Sequence, residues 1–308
     1  MLFCTKLGNE VNILKIDICP LCGKSRFEKV MTCTDHYATG EPFEIFRCKD
    51  CGFMFTQNAP DENVIGRYYE SPDYISHSDT HKGLMNKVYH GVRQVMLSRK
   101  AKLIRHNCDT SRGKLLDIGT GTGYFPHFMA GKGWEVSAIE KSQQARTFAK
   151  EHFNLDVKGP EALDAFPPQS FDVITLWHVM EHLQNLNETW ERLSVILKER
   201  GVLIIAVPNP SSFDARHYKE FWGAYDVPRH LWHFTPSVMQ QFGAKHGFKL
   251  SGLHPMPFDA FYVSMLSEKY LGRHCTFLSG MFTGLKAWFA SLAKKERSSS
   301  MIYVFRKK

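Results

Sequence analysis

The sequence predicts a doubly wound α/β domain preceded by a small metal ribbon. Three observations carry that prediction. Two C-x-x-C-G knuckles stand near the N-terminus, short apolar strands alternate with helical stretches over 112–256, and a glycine-dense turn, DIGTGTGYF, occupies 117–125. Sustained alternation of strand and helix argues for a largely parallel sheet with helices on both faces.

Composition narrows the class. Over 308 residues, 43% are hydrophobic and 13% aromatic, enough for packed cores and too much for a disordered chain. The opening MLFCTKLGNEVNILK lacks the basic start and apolar core of a secretion signal. No run of about 18 apolar residues suggests a transmembrane helix. Eight cysteines without a secretion signal imply reduced thiols, so a cytoplasmic protein is expected. The net charge of +8 is uneven: 268–308 carries nine Lys or Arg against two acids, and 79–106 carries seven against one. Such clusters are either solvated helix faces or attractors for anions and nucleic acid.

The ribbon, 1–57, is read from CPLCG at 19–23 and CKDCG at 48–52. Cys19, Cys22, Cys48 and Cys51 supply four thiolates, a set that suits a tetrahedral structural zinc ion. A hairpin from FEKVMTCTDHY to FEIFRC fills the gap between the knuckles. A redox pair is the rival, but redox C-x-x-C normally sits in a βαβ setting. Cys33 and His36 lie in the gap as substitute ligands, although a closed four-cysteine site leaves no vacancy for them. Cys4, Cys108 and Cys275 read as ordinary residues.

Residues 58–110 read as a helical linker or lid, with an amphipathic stretch from Lys82 to Ile104. From 111 the α/β rhythm begins. KLLDIG, EVSAIE, LDVK, FDVITLW and GVLIIAVP read as strands, and FKLSGLH and SMIYVFRK add two more. YFPHFMAGKGW, SQQARTFAKEHF, HLQNLNETWERLSVILKER and TPSVMQQFGAKHG read as helices, the last opened by Thr235 and Pro236. GVLIIAV is apolar throughout, as a strand covered on both faces must be.

In the glycine turn, Gly119, Gly121 and Gly123 form G-x-G-x-G, and Tyr124 stands where a dinucleotide-binding loop needs its third glycine. Asp117 before the turn suits a ligand with a positive or hydrogen-bond-donating group. Glu140 ends the second strand, where a carboxylate commonly grips ribose hydroxyls.

These residues resemble the class I S-adenosylmethionine-dependent methyltransferases. The likeness rests on DIGTGTG, Glu140, FDVITLWHVMEHL at 171–183 and DVPRHLWHFTP at 226–236, the last two similar to ubiquinone-biosynthesis-like small-molecule methyltransferases. It implies a seven-stranded Rossmann-like methyltransferase sheet over 111–308, with 257–294 as a helical cover inserted before the last strand. It also implies S-adenosyl-L-methionine as cofactor. Asp117, Gly119, Thr120, Gly121 and Gly123 would hold its methionine portion. Glu140 and Lys141 would meet the ribose, Tyr124 and Phe125 would line the pocket, and Ala162 and Leu163 would flank the adenine. Trp177 and His178 would close the sulfonium side.

For the chemistry, a histidine base is the natural choice, because methyl transfer chiefly needs an aligned and deprotonated nucleophile. His182 leads, with His178 and His233 behind it; His178 and His182 follow the fourth strand, four apart on one helix face. His230 lies nearby, Glu181 could orient a histidine, and Arg229 could bind a substrate anion. A histidine metal site is discounted for want of a third ligand. No N/D-P-P-Y motif and no Pro-Cys nucleophile follows the fourth strand. The aromatics of the tail, among them Phe258, Tyr262, Phe277, Phe282 and Phe289, are expected to line an apolar acceptor pocket, with core packing as the rival. The reading is methyl transfer to oxygen or carbon of a small molecule such as a sugar or quinone. The alternatives are a zinc-ribbon-assisted RNA methyltransferase and a non-catalytic protein that binds S-adenosylmethionine.

Overall fold

A computed structural model describes residues 13–69, 84–256 and 258–308. Cys4, Pro257 and the stretch 70–83 of the predicted linker lie outside the described residues.

The ribbon contains β1 (Ile13–Leu14), β2 (Phe27–Thr34), β3 (Pro42–Cys48), β4 (Met54–Gln57) and β5 (Ala59–Pro60). The predicted hairpin is β2–β3, antiparallel with Phe27 opposite Cys48. A long helix, α1 (Leu84–Asn107), leads into the α/β domain. There β6 (Lys114–Ile118), α2 (Tyr124–Ala130), β7 (Glu135–Ile139) and α3 (Gln143–Phe153) follow in the expected order. A short α4 (Ala162–Ala165), β8 (Phe171–Trp177), α5 (Leu186–Ile196), β9 (Leu197–Pro208) and α6 (Phe213–Tyr218) come next. The chain ends with β10 (Trp232–His233), α7 (Pro236–Lys245), β11 (Phe248–Met256), α8 (Asp259–Tyr270), α9 (Thr276–Ala293) and β12 (Ser300–Lys307).

The main sheet has the order β11-β12-β9-β8-β6-β7. Its β9, β8, β6 and β7 run parallel, and β12 lies antiparallel between β9 and β11. The seventh strand expected at LDVK reduces to one parallel bridge between Ile139 and Lys158. Val202 to Val207 are fully buried, as the continuous apolar run requires. Trp190 on α5 packs against Phe242, Phe248 and Phe305, tying α7, β11 and β12 into one core. The helix expected to run from His182 to Arg200 is shorter, because Leu197 already belongs to β9 and pairs with Phe171. Thr235 caps α7 by accepting a hydrogen bond from the Val238 amide, with Pro236 in the first turn.

The ribbon is not an independent unit. Its sheet has the order β10-β4-β3-β2, so its fourth strand, Trp232–His233, comes from far downstream of the hairpin that ends at Cys48. Trp232 pairs with Phe55 and His233 with Met54. Phe53 packs on Trp232 and Phe234 at 5.6 and 5.3 Å between ring centres. Beneath this seam, Arg229 is 3% exposed. It donates to Asp35 of the ribbon at 3.0 Å, to Asp226 at 2.7 Å and to the Tyr68 carbonyl at 2.7 Å. The expectation that Arg229 binds a substrate anion is therefore corrected, since its guanidinium is used up by two carboxylates and a carbonyl. Cys33 and His36 are likewise no substitute ligands: Cys33 is buried in the cluster around Trp222, and His36 stacks on Tyr270 at 4.5 Å.

Removing one partner of a buried, hydrogen-bonded ion cluster leaves the other charge stranded. Arg229→Ala should cost about 3–5 kcal/mol in denaturant unfolding. A loss below about 1 kcal/mol, the scale of an exposed ion pair, would show that the seam does not depend on this side chain.

Candidate active site at the carboxyl ends of the sheet

The first parallel strand ends in buried Asp117, which accepts a 2.6 Å hydrogen bond from the Thr175 hydroxyl on β8. Burial pushes its carboxyl up to about 6, against the pull of Thr175, Thr120 and Lys100. The turn then doubles back under β7, with the Gly119 and Thr120 amides donating to the Ile139 carbonyl. Two glycines here answer to different neighbours. A side chain on Gly119 would strike Val179 at 2.3 Å, so the turn must pass close beneath the segment after β8. Gly121, at φ +56°, has nothing within 4 Å of where a Cβ would stand. It is an open backbone cradle. Its amide donates to Glu140 Oε2 at 2.7 Å, and the Ser142 amide to Oε1 at 2.9 Å, which fixes the carboxylate at the end of β7.

Other predicted contacts fall differently. Lys141 is spent on an exposed ion pair with Glu62. Phe125 is buried core, edge-on to Trp177 at 5.6 Å. Tyr124 packs on Phe153 and lies under the Arg93 guanidinium, 3.8 Å from its ring centre. Ala162 and Leu163 open α4 beside the Ile139–Lys158 bridge, next to the end of β7. Trp177 closes β8, and its indole Nε1 is buried with no hydrogen-bond partner among the described residues.

Sequence reasoning missed Lys100. From α1 its ammonium lies 4.2 Å over the Trp177 ring and 5.4 Å from that of Phe125. Burial draws it down to about 8, although Asp117 and Asp259 favour its charged form. The available signal was Arg93 and Lys100, two turns apart on one face of α1.

The segment after β8 is not the expected helix. His178 adopts φ +58°, uncommon for a residue with a side chain, and Met180–His182 form one 3₁₀ turn. His178 and His182 therefore do not share a helix face. His178 Nδ1 lies 3.4 Å from Glu181 and Nε2 3.3 Å from Asp259 at the start of α8. Burial opposes its charge, but the ring is 35% exposed and the two carboxylates prevail, raising it to about 10. That corrects its candidacy as base: an imidazolium has no lone pair to accept a proton. His233 is also excluded, buried on β10 with Nε2 3.1 Å from the Thr56 hydroxyl of the ribbon.

His182 has the geometry a base needs. Its Nδ1 lies 3.0 Å from the Arg229 carbonyl, which can only accept, so Nδ1 carries the proton and Nε2 the lone pair. The Tyr69 hydroxyl also meets Nδ1, at 3.2 Å. Burial and the neighbouring His230 push the ring down to about 4, so it is neutral at pH 7. Glu181, His182 and His230 bring one carboxylate oxygen and two ring nitrogens within 4.8 Å of one another. The third metal ligand that sequence reasoning found wanting is thus present among the described residues. Glu181 is fully buried; its oxygens make no hydrogen bond among the described residues, and its charge is paired with the His178 ring, 3.4 Å from Oε1.

The four predicted ribbon cysteines do converge. Cys19 and Cys51 sulfurs are 3.5 Å apart, as are those of Cys22 and Cys48, and all four lie within 4.8 Å. Tetrahedral thiolates about 2.3 Å from zinc would stand about 3.8 Å apart, so this donor set fits.

The model of a methyltransferase domain family matches residues 90–251, just over half of the chain. An uncharacterized methyltransferase of Staphylococcus carnosus is 26% identical over 144 residues, 46% of this chain and 68% of the relative. A ubiquinone biosynthesis O-methyltransferase of Azoarcus sp. is 28% identical over 137 residues, 42% of this chain. The chain spans only 56% of that relative's length. Geranyl diphosphate C-methyltransferase from Streptomyces coelicolor shares the fold, with a TM-score of 0.51 at 13% identity over 75% of this chain and 86% of that one. With the open glycine cradle and the carboxylate at the end of β7, these matches place the chain in the class I S-adenosylmethionine-dependent methyltransferase family.

Proposed function

We propose that the protein methylates an oxygen or carbon of a small-molecule acceptor, with His182 as the base. The observation that carries this reading is the neutral His182 ring, held through Nδ1 by the Arg229 carbonyl and backed by the Glu181 carboxylate. S-adenosylmethionine, when bound, supplies an electrophilic methyl on a sulfonium. The Gly121 cradle and the unpartnered Trp177 indole fit such a ligand. Asp117 would face its cationic end, Glu140 would hold the ribose diol and Lys100 would meet the carboxylate. His182 takes the acceptor's proton at Nε2 as the nucleophile attacks, and Glu181 stabilises the imidazolium. Alignment of donor and acceptor supplies the rest.

A second reading is favoured by the convergence of Glu181, His182 and His230, whose ligand atoms lie within 4.8 Å of one another: a divalent cation on these three that lowers the acceptor hydroxyl's pKa. Manganese resonance would separate the two, since a bound signal lost in His230→Ala requires the cation. The ribbon cysteines we assign to structural zinc, closed to chemistry because all four positions are thiolates.

Incubation with labelled donor and cell extract should place the label in small molecules; label confined to RNA would defeat the reading. His182→Ala should lose about 100- to 10,000-fold in turnover at unchanged donor affinity. Near-normal turnover would make this histidine structural. Gly121→Leu should abolish donor binding in calorimetry. Asp117 adds a pH signature. Its carboxyl titrates near 6 in the free protein, and a cationic donor favours the ionised form. Below that pH binding must expel a proton, so Kd should rise about tenfold per pH unit and stay flat above. A Kd unchanged down to pH 5 would remove Asp117 from the donor site. Metal analysis should find about one zinc per chain, lost in Cys19→Ser and Cys48→Ser; zinc retained in both would refute the four-cysteine site.

A further inference from the structure

The expected helical cover is built of two helices, α8 and α9, and the aromatics expected to face an acceptor, Phe258, Tyr262, Phe277, Phe282 and Phe289, are exposed. On α9, Phe277, Leu278, Phe282, Phe289 and Leu292 are each between 56% and 70% exposed. At 3.6 residues per turn they fall within an arc of about 140°. The opposite face is made of small residues: Gly280, Thr283, Gly284, Ala287 and Ser291 are buried. A Cβ on Gly280 would stand 2.6 Å from Met265 Cα, and one on Gly284 2.8 Å from Phe261 Cα. The helix is therefore seated on α8 as closely as glycine allows, and its orientation is set. A surface helix normally turns its large apolar side chains inward. This one turns them out.

We propose that α9 is a docking helix that lies in the surface of a bilayer bearing anionic headgroups. The charge around the apolar face identifies the occupant. Lys286 flanks the apolar arc of the helix, and Lys294, Lys295 and Arg297 follow it with Glu296 the one acid among them; Arg273, before the helix, is paired with buried Glu268 at 3.0 Å. Lys286 lays its stem along the face, its ammonium 4.2 Å over the Phe282 ring, the posture by which a lysine keeps its charge at a polar boundary. An aromatic and leucine face with a basic border matches an interfacial helix. A second copy of the chain would set this basic border against itself. RNA would meet the cations but leave the phenylalanine and leucine face in water. No helix among the described residues is long and apolar enough to cross a membrane, so α9 lies on the bilayer and does not span it. The helix pair is anchored at the cleft by Asp259, 3.3 Å from His178 Nε2.

The test sediments the full chain with vesicles of phosphatidylcholine alone or with about 30% phosphatidylglycerol. The protein should pellet with the anionic vesicles and be released as salt rises. Phe282→Ser with Phe289→Ser should weaken binding about tenfold or more. Both side chains are exposed, so the variant should melt with the wild type and bind the methyl donor equally well. Lys286→Glu, Lys294→Glu and Lys295→Glu together should abolish the preference for anionic vesicles. Wild-type protein left in the supernatant, or equal pelleting of the double serine variant, would overturn the proposal. So would a wild-type dimer that the serine variant disperses without any vesicle binding, which would assign the face to a second copy.

Discussion

A buried guanidinium holds this molecule together. Arg229 sits where the ribbon meets the methyltransferase domain, and its donors reach Asp35, Asp226 and the Tyr68 carbonyl. Taking such charges out of water is costly, and the arrangement persists only because nearly every polar atom is answered. Asp35 also accepts from the amides of Tyr37, Ala38 and Thr39, shaping the turn of the β2–β3 hairpin. One carboxylate thus shapes the ribbon and anchors it to the domain.

The consequence reaches the cleft. The loop carrying Arg229 continues into β10, which completes the ribbon sheet. The Leu231 amide donates to the Glu181 carbonyl at 2.8 Å, and the Leu231 carbonyl accepts from Thr56 of the ribbon at 2.9 Å. The Arg229 carbonyl sets the tautomer of His182. A cysteine ribbon distant in sequence thereby fixes the geometry of the segment after β8. The donor half of the cleft is built differently, from one turn and the strand ends beside it. Its parts are local, and its rigidity comes from the parallel ladder.

That contrast explains what the sequence could disclose. The glycine turn, Glu140 and the cysteine knuckles were legible because each requirement is local: open backbone, a carboxylate at a strand end, thiolates at metal-binding spacing. The core strands were legible from their apolar runs. The histidines were not, because partners far along the chain decide their roles. His182 is set by Arg229, His178 by Asp259, and His233 by Thr56. Spacing alone put His178 and His182 on a helix that a left-handed residue and a 3₁₀ turn replace. Arg229 was misread for the same reason, and the outward aromatics of α9 because composition does not say which face of a helix is buried.

The central claim is that the ribbon and the acceptor side of the cleft form one cooperative unit through residues 226–233. Amide hydrogen exchange, followed with and without a zinc chelator, tests it most directly. Removing the metal should speed exchange in β2, β3 and β4 and equally at the amides of His230 and Leu231, which are tied to Asp226 and Glu181. Faster exchange confined to the ribbon strands, with His230 and Leu231 unchanged, would contradict the account.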